Sequence, residues 1–471
     1  MFGITPVVTD IRVKKMRGMR IMDKRQISVQ LELERPVKTD KWVVPIRLTV
    51  NLSSFLPDEL TGTGVIDLGS IALCEKKSGK SVPYQFFPDQ QELGARRKVQ
   101  GISIGPAARI CCRAGVPFDS RGELVFFPLA ARSVYLLTFD VICSGQAMQS
   151  PYFNYHYLVL DESSRPLPAP VWHMEVSPLS SRDGELHVWQ EGKLVATYHF
   201  GDGKQGYLYP LCTVDGRNVV SIGRSADPTD SHRHHKGLWF GCRDVNGVNF
   251  WEEDGRGVIR HKNFPLLKGG PLTAEIREEL EWIQEKEVLL QERRSLTFYR
   301  GDESSRLVDV EMRLVPTKDT VIGRNLFGFM AMRGNPALEP LSGGGCLING
   351  NGGISEEEIL WKHSPWCCLA GNLVSGCKHG FAIFDHPGNP GYPVAWQARD
   401  DGFFGPALAC DKEVFMAKDQ EFCLRYRILL FQEAEDRFEA LVKDTWEGYR
   451  NDTTGVWSKN HAEEQTGRKE E

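Results

Sequence analysis

Between Ser231 and Glu253 the sequence reads SHRHHKGLWFGCRDVNGVNFWEE, a span that holds His232, His234 and His235, then Trp239, Asp244, Asn246, Trp251, Glu252 and Glu253. In extended backbone His232 and His234 share one face, while His235 turns to the other. Two imidazoles so placed can grip one divalent metal ion if Asp, Glu or a further His completes the set. A metal, if there is one, is expected on His232 and His234. The plainer alternative is that the histidines hydrogen-bond a glycine-rich turn or line a polar cleft.

The aromatic residues beside them suggest a ligand class. A pyranose has an apolar CH face and a hydroxyl rim, so Trp faces next to carboxylates and amides suit it. Trp239 and Trp251 are the candidate platforms, and the alternative for Trp239, Phe240, Phe250 and Trp251 is core packing. Asn246-Gly247 is a dipeptide that supports a tight hairpin turn. Glu252 and Glu253 are neighbours on an extended chain and face opposite ways, so at most one addresses a substrate.

A second constellation runs from Gly380 to Arg399, GFAIFDHPGNPGYPVAWQAR. An apolar run, Phe381 to Phe384, would deliver Asp385 and His386 into a loop stiffened by Pro and Gly, a common way to present functional side chains. Asn389, Trp396 and Arg399 follow, and Arg333 or Arg399 could stabilise anionic charge. Cys367-Cys368 reads as buried filler.

The elements that must position these residues read as strands. Alternation of apolar and polar residues in Ile27 to Leu33, Ile46 to Val50, Val65 to Leu73, Glu123 to Phe127 and Val134 to Val141 predicts an N-terminal β-sandwich over residues 1–160. The Pro-rich segment 161–172 predicts a linker. Leu186 to Gln190 and Lys193 to Phe200, joined by Glu191-Gly192, predict a hairpin. With Leu289 to Phe298, Arg306 to Leu314, Phe381 to Phe384 and Glu421 to Phe431 they predict a second, larger antiparallel β-sandwich over 173–450. An amphipathic helix at Ala434 to Arg450 closes it, since Phe438, Leu441, Val442, Trp446 and Tyr449 fall on one helical face. The charged residues 451–471 predict a mobile tail.

Charge and composition exclude several classes. The net charge of −5 comes from 57 basic and 62 acidic residues mixed along the chain, with no basic stripe, so nucleic acid is not an expected partner. No apolar stretch approaches the roughly 20 residues that cross a bilayer, so no membrane is expected. The N-terminus lacks the pattern of an export signal, and the 12 cysteines include adjacent pairs ill-suited to bridges and no CxxC spacing. Together these predict a cytoplasmic protein with reduced thiols. Oligomeric state stays open.

The motifs HRHHKGLWFG, DVNGVNFWEE, YLYPLCTVDG and GFAIFDHPGNPGYPVAWQARDDGFFGPAL together resemble a bacterial domain family labelled "methane oxygenase PmoA", over about Leu186 to Tyr449. Gly391-Tyr392 departs from the Arg-His expected there, and Lys236 stands where Arg is common. The resemblance implies a carbohydrate-associated β protein, for which a galactose-mutarotase-like sandwich is one form. It suggests catalytic roles for His232, His234, His386, Arg399 and Asp244. Substrate would contact Trp239, Asn246, Trp251, Glu252, Arg333, Asn389 and Trp396. Three functions are open: an enzyme acting on a sugar or glycoside by His and carboxylate acid–base chemistry, a non-catalytic glycan-binding protein, or an oxygenase using two His and one carboxylate.

Overall fold

The computed structural model describes residues 4–14, 24–33, 45–56, 65–88, 121–126, 134–142, 172–178, 183–201, 205–223, 232, 234–270, 272–301 and 303–450. The linker 161–171 and the tail 451–471 lie outside them. The chain divides into two compact units, Met1–Pro170 with Asp452–Glu471, and Val171–Asn451.

In the first unit, a four-stranded sheet orders Ile4–Lys14, Lys24–Leu33, Val134–Ile142 and Val65–Glu75, and a three-stranded sheet orders Ile46–Asn51, Arg121–Phe126 and Tyr84–Pro88. Ile27, Val29 and Leu31 are buried at alternate positions and share a core with Leu124, Phe126, Leu137 and Phe139. The period-two pattern is the cause: one face of each strand is apolar and needs a partner face.

The second unit is a sandwich of two eight-stranded antiparallel sheets. The first sheet runs, edge to edge, Trp396–Ala398, Phe403–Pro406, Met330–Arg333, Leu238–Phe240, Tyr207–Leu211, Lys193–Phe200, Gly184–Gln190 and Trp172–Pro178. The second runs Gly257–Lys268, Thr273–Gln284, Glu287–Arg300, Ser305–Pro316, Phe422–Glu433, Cys377–Asp385, Trp366–Val374 and Cys346–Asn349. The strands expected from alternation between Leu186 and Phe431 fall in these two sheets. The Glu191-Gly192 turn has positive φ at both positions (51° and 76°), the geometry of a tight two-residue hairpin.

Leu186, Val188, Leu208, Leu238, Phe240, Met332 and Phe404 from the first sheet pack on Leu296, Phe298, Val308, Ile383 and Ile428 from the second. Inside this apolar layer lies one ionic cluster. Arg294 donates Nε and Nη2 to Glu292 at 2.7 and 2.8 Å and Nη1 to the Tyr198 hydroxyl at 3.1 Å, while its guanidinium lies 3.8 Å from the Phe240 ring centroid. Trp282 Nε1 donates to Glu292 and the Tyr198 hydroxyl donates to Glu278, so every buried charge has a partner.

The helix spans Phe438–Arg450, four residues shorter at its start than the apolar pattern predicts. It lays Phe438, Val442, Trp446 and Tyr449 against the second sheet, with Phe384 facing Trp446 and Arg427 facing Tyr449. No helix among the described residues is long and apolar enough to cross a membrane.

Candidate active site on the outer face of the first sheet

Strand residues next to the core members point the other way, and on the first sheet they form a continuous row. Register places Glu185 opposite His199, His199 opposite Tyr207, Tyr207 opposite Trp239, and Trp239 opposite Ala331. Two residues further along, Arg333 lies opposite Phe403. Trp239, Trp251, Ala331 and Phe403, with Tyr207 and Phe327, form an apolar cluster separate from the main core. The sheet thus has core on one face and this row on the other.

The histidine segment folds over the row as a turn. The His235 amide donates to the His232 carbonyl at 2.9 Å, which closes the chain on itself. All three imidazoles are consequently gathered: ring centroids are 6.2 Å apart for His232 and His234, 5.0 Å for His232 and His235, and 4.5 Å for His234 and His235. The expectation that His235 turns away is corrected here, because it assumed extended backbone. His235 is the most buried of the three and stacks on Trp239 at 4.9 Å and on Phe403 at 4.6 Å. His232 and His234 are half-buried.

Two glycines hold this arrangement. Gly237 leaves the turn with φ 63°, and a Cβ there would collide with the Leu208 carbonyl. At Gly241 a Cβ would lie 2.6 Å from the Phe250 carbonyl, so the bare backbone lets the Phe250-Trp251 segment close against the strand. Trp251 then sits 5.3 Å from Trp239 and 6.5 Å from His234. Lys236 ties the two segments together through an ion pair with Glu253 at 2.9 Å.

Beyond Trp239 the row becomes polar. His199 stacks on Tyr207 at 4.4 Å, donates Nε2–H to the Tyr209 carbonyl (2.8 Å), and has Nδ1 3.4 Å from Glu185. Lys236 lies 5.5 Å over the same Tyr207 ring. Burial, and then the Glu185 carboxylate, push the Tyr207 hydroxyl above its usual range. His187 shares the face, bonded to Thr197 at 3.0 Å. Glu185, His187, His199 and Tyr207 were not among the residues singled out from the sequence. The signal was present as the polar half of the alternation in Gly184–Gln190 and Lys193–Phe200.

Several buried polar atoms on this face lack a hydrogen-bond partner among the described residues: Nε1 of Trp239, Nε1 of Trp251, and Oε1 of Gln205. Arg333, 1% exposed, lies between Glu339 (3.3 Å) and Asp401 (3.0 Å), yet its Nε has no hydrogen-bond partner and its Nη1 meets Asp401 without hydrogen-bond alignment. Orphaned buried polar groups each cost about 1–3 kcal/mol, so this face is less well satisfied than the core beneath it.

The remaining residues singled out from the sequence occupy other places. Asp244 accepts from the Gly247 amide at 2.7 Å, and Asn246, with φ 53°, accepts from the Val321 amide at 2.8 Å, so both shape the hairpin turn. Glu252 is held by Asn249 at 2.7 Å and Arg243 at 3.4 Å beside Trp251. His386 packs edge-on against Tyr449 and accepts from the Gly388 amide at 2.9 Å, sharing none of its described contacts with the histidine turn. Asn389 bridges Asp385 and the Arg425 backbone. Trp396 is fully buried and donates to the Ser364 carbonyl at 2.8 Å, while Arg399 is half-exposed and pairs with Glu356 at 3.1 Å. Cys367 and Cys368 are buried, and burial pushes both thiols up. Among the described residues no three His, Cys, Asp or Glu side chains are grouped as a metal ion would need.

Fold and site together define a two-sheet, all-β protein with a histidine and aromatic site on the outer face of its first sheet. The chain belongs to a family of unknown function (DUF6807), whose profile matches residues 185–443, more than half of its length and every residue of that site. This match corrects the resemblance to the methane oxygenase family: the motifs that suggested it lie within the span assigned to DUF6807. No curated protein sequence matches the chain. Among solved structures it is similar to the α-galactosidase from Lactobacillus brevis, at 11% identity and a TM-score of 0.26, covering 56% of this chain and 40% of that one. The chain therefore spans less than half of that protein's length, and a likeness of this size carries no argument about activity.

Proposed function

We propose that this protein binds a sugar or glycoside against Tyr207 and Phe327, the half-exposed rim of the buried Trp239–Trp251 cluster, and acts on it by acid–base chemistry of the histidine turn. The carrying observation is the gathering of three imidazoles beside this aromatic rim. The CH face of a pyranose suits the aromatic rings, and its hydroxyls suit the imidazoles. His232 and His234, half-exposed and beside one another, serve as proton donor and acceptor, a role imidazole fills near neutral pH. His235 is a positioning residue, packed on both Trp239 and Phe403. Glu185 and His199 form a second proton-handling pair across Tyr207. Nine free cysteines among the described residues suit a reducing compartment, and the cytoplasm is part of this reading.

Tryptophan fluorescence and proton NMR of the full chain with a panel of monosaccharides, disaccharides and aryl glycosides test it. The expected result is saturable quenching and conversion of at least one compound, with conversion lost in His232→Gln and His234→Gln. Saturable binding without any product identifies a glycan-binding protein instead. Absence of binding across the panel overturns the reading.

A further inference from the structure

A cavity of about 430 Å³ opens beside the histidine site, lined in part by Arg243, Asp244, Asn249, Arg324, Asn325 and Phe327. Phe327 joins it to the site: its ring lies 5.4 Å from Trp251, which in turn lies 6.5 Å from His234. The Arg243 guanidinium sits 5.3 Å from the centroid of the same Phe327 ring.

The polar groups lining the cavity are unevenly committed. Asn325 donates one Nδ2–H to the Gly323 carbonyl and Asn249 donates one to Glu252, which fixes the orientation of both amides. Asp244 is engaged by the Gly247 amide, and Glu252 is engaged by both Asn249 and Arg243. Arg324 differs. Its Nε donates to the Cys410 carbonyl at 3.0 Å, which fixes the plane of the guanidinium, and it has no carboxylate at ion-pair distance among the described residues. A guanidinium fixed in plane and outside any ion pair among the described residues, in a cavity that Arg243 and the Asp244 carboxylate also line, matches the geometry of a carboxylate or phosphate.

We infer that this cavity receives an anionic substituent of the substrate, a carboxylate or a phosphate ester, while the rest of the molecule extends over Phe327 toward the histidine turn. The inference rests on the sugar reading above and narrows it to acidic sugars. Arg324 is the main contact and Arg243 the second, its charge shared with Glu252.

Isothermal titration of the full chain with glucuronate, glucose 6-phosphate, inorganic phosphate and glucose tests it. Glucuronate or glucose 6-phosphate should bind about tenfold or more tighter than glucose, and their ranking distinguishes carboxylate from phosphate. Arg324→Gln, at an exposed position, should remove that preference and leave glucose binding as it was, with Arg324→Lys intermediate. Equal binding of glucose and the acidic sugars overturns the inference while leaving the sugar reading in place, as does a preference that survives Arg324→Gln. Arg324-dependent binding of inorganic phosphate with no gain from either sugar supports the anion site and overturns the sugar reading.

Discussion

The imidazole of His235 lies flat on the ring of Phe403, centroids 4.6 Å apart and planes 15° apart. Trp239, stacked on it at 4.9 Å and on Phe403 at 5.7 Å, completes a triangle of rings, so the His235 ring is part of the packing, while its neighbours His232 and His234 are half-exposed. Three histidines in four positions therefore have different physical jobs, and substitutions should separate them.

His235→Ala removes a buried ring from the cluster with Trp239 and Phe403 and should cost about 2–4 kcal/mol of stability, the range for large-to-small core changes. His232→Gln and His234→Gln should each stay within about 1 kcal/mol of the parent. Urea unfolding followed by tryptophan fluorescence checks both, and a cost at His235 no larger than at His232 would contradict this division of roles.

Arg294→Met should be among the most damaging single changes, on the order of 3–5 kcal/mol, because it leaves Glu292 buried without its cation. The double variant Arg294→Met with Glu292→Gln should recover part of the loss. Trp282 donates to Glu292 at 2.7 Å, so its emission reports directly on this cluster.

Asn246→Ala should destabilise by about 1–2 kcal/mol, since it loses the bond to the Val321 amide and forces alanine to φ 53°. Asn246→Gly keeps the backbone comfortable and should cost less. Equal losses from the two would mean that the side-chain bond carries the whole effect.

Stability of the second unit should fall as pH rises. Burial pushes the Asp385 carboxyl up to about 7, against opposing hydrogen bonds from Asn389, Val394 and His386. The unfolded carboxyl titrates near 4, so the folded state holds the extra proton between about pH 4 and 7. The associated stability is fully present below the unfolded value and is lost as pH rises through the folded one. Asp385→Asn should flatten this dependence in thermal melts taken across pH 4 to 8; an unchanged slope would assign it to other groups.

The strands were legible in the sequence because burial on one face imposes period two, as at Ile27, Val29 and Leu31 or Leu186 and Val188. The site was legible only in part. Its aromatic half, Trp239 and Trp251, stood out by residue type, whereas Glu185, His187 and His199 were hidden as the ordinary polar half of a strand. His235 was misjudged because local alternation cannot reveal a turn closed by the His232 carbonyl. Asn389 and Trp396 drew notice for their chemistry, but their hydrogen bonds within the fold are set by long-range contacts that no local pattern encodes.

The first sheet carries its core and its site on alternate residues of the same strands: Leu238 and Phe240 face inward and Trp239 outward, Leu208 inward and Tyr207 outward, Phe404 inward and Phe403 outward. A one-residue insertion in any of these strands would exchange the two faces, sending indoles into the sandwich and aliphatic side chains into the site. Change on the outer face is therefore confined to like-for-like replacement at every second position and to length changes in the connecting turns. A shifted strand register would cost the sandwich its core and the outer face its aromatic row in a single step.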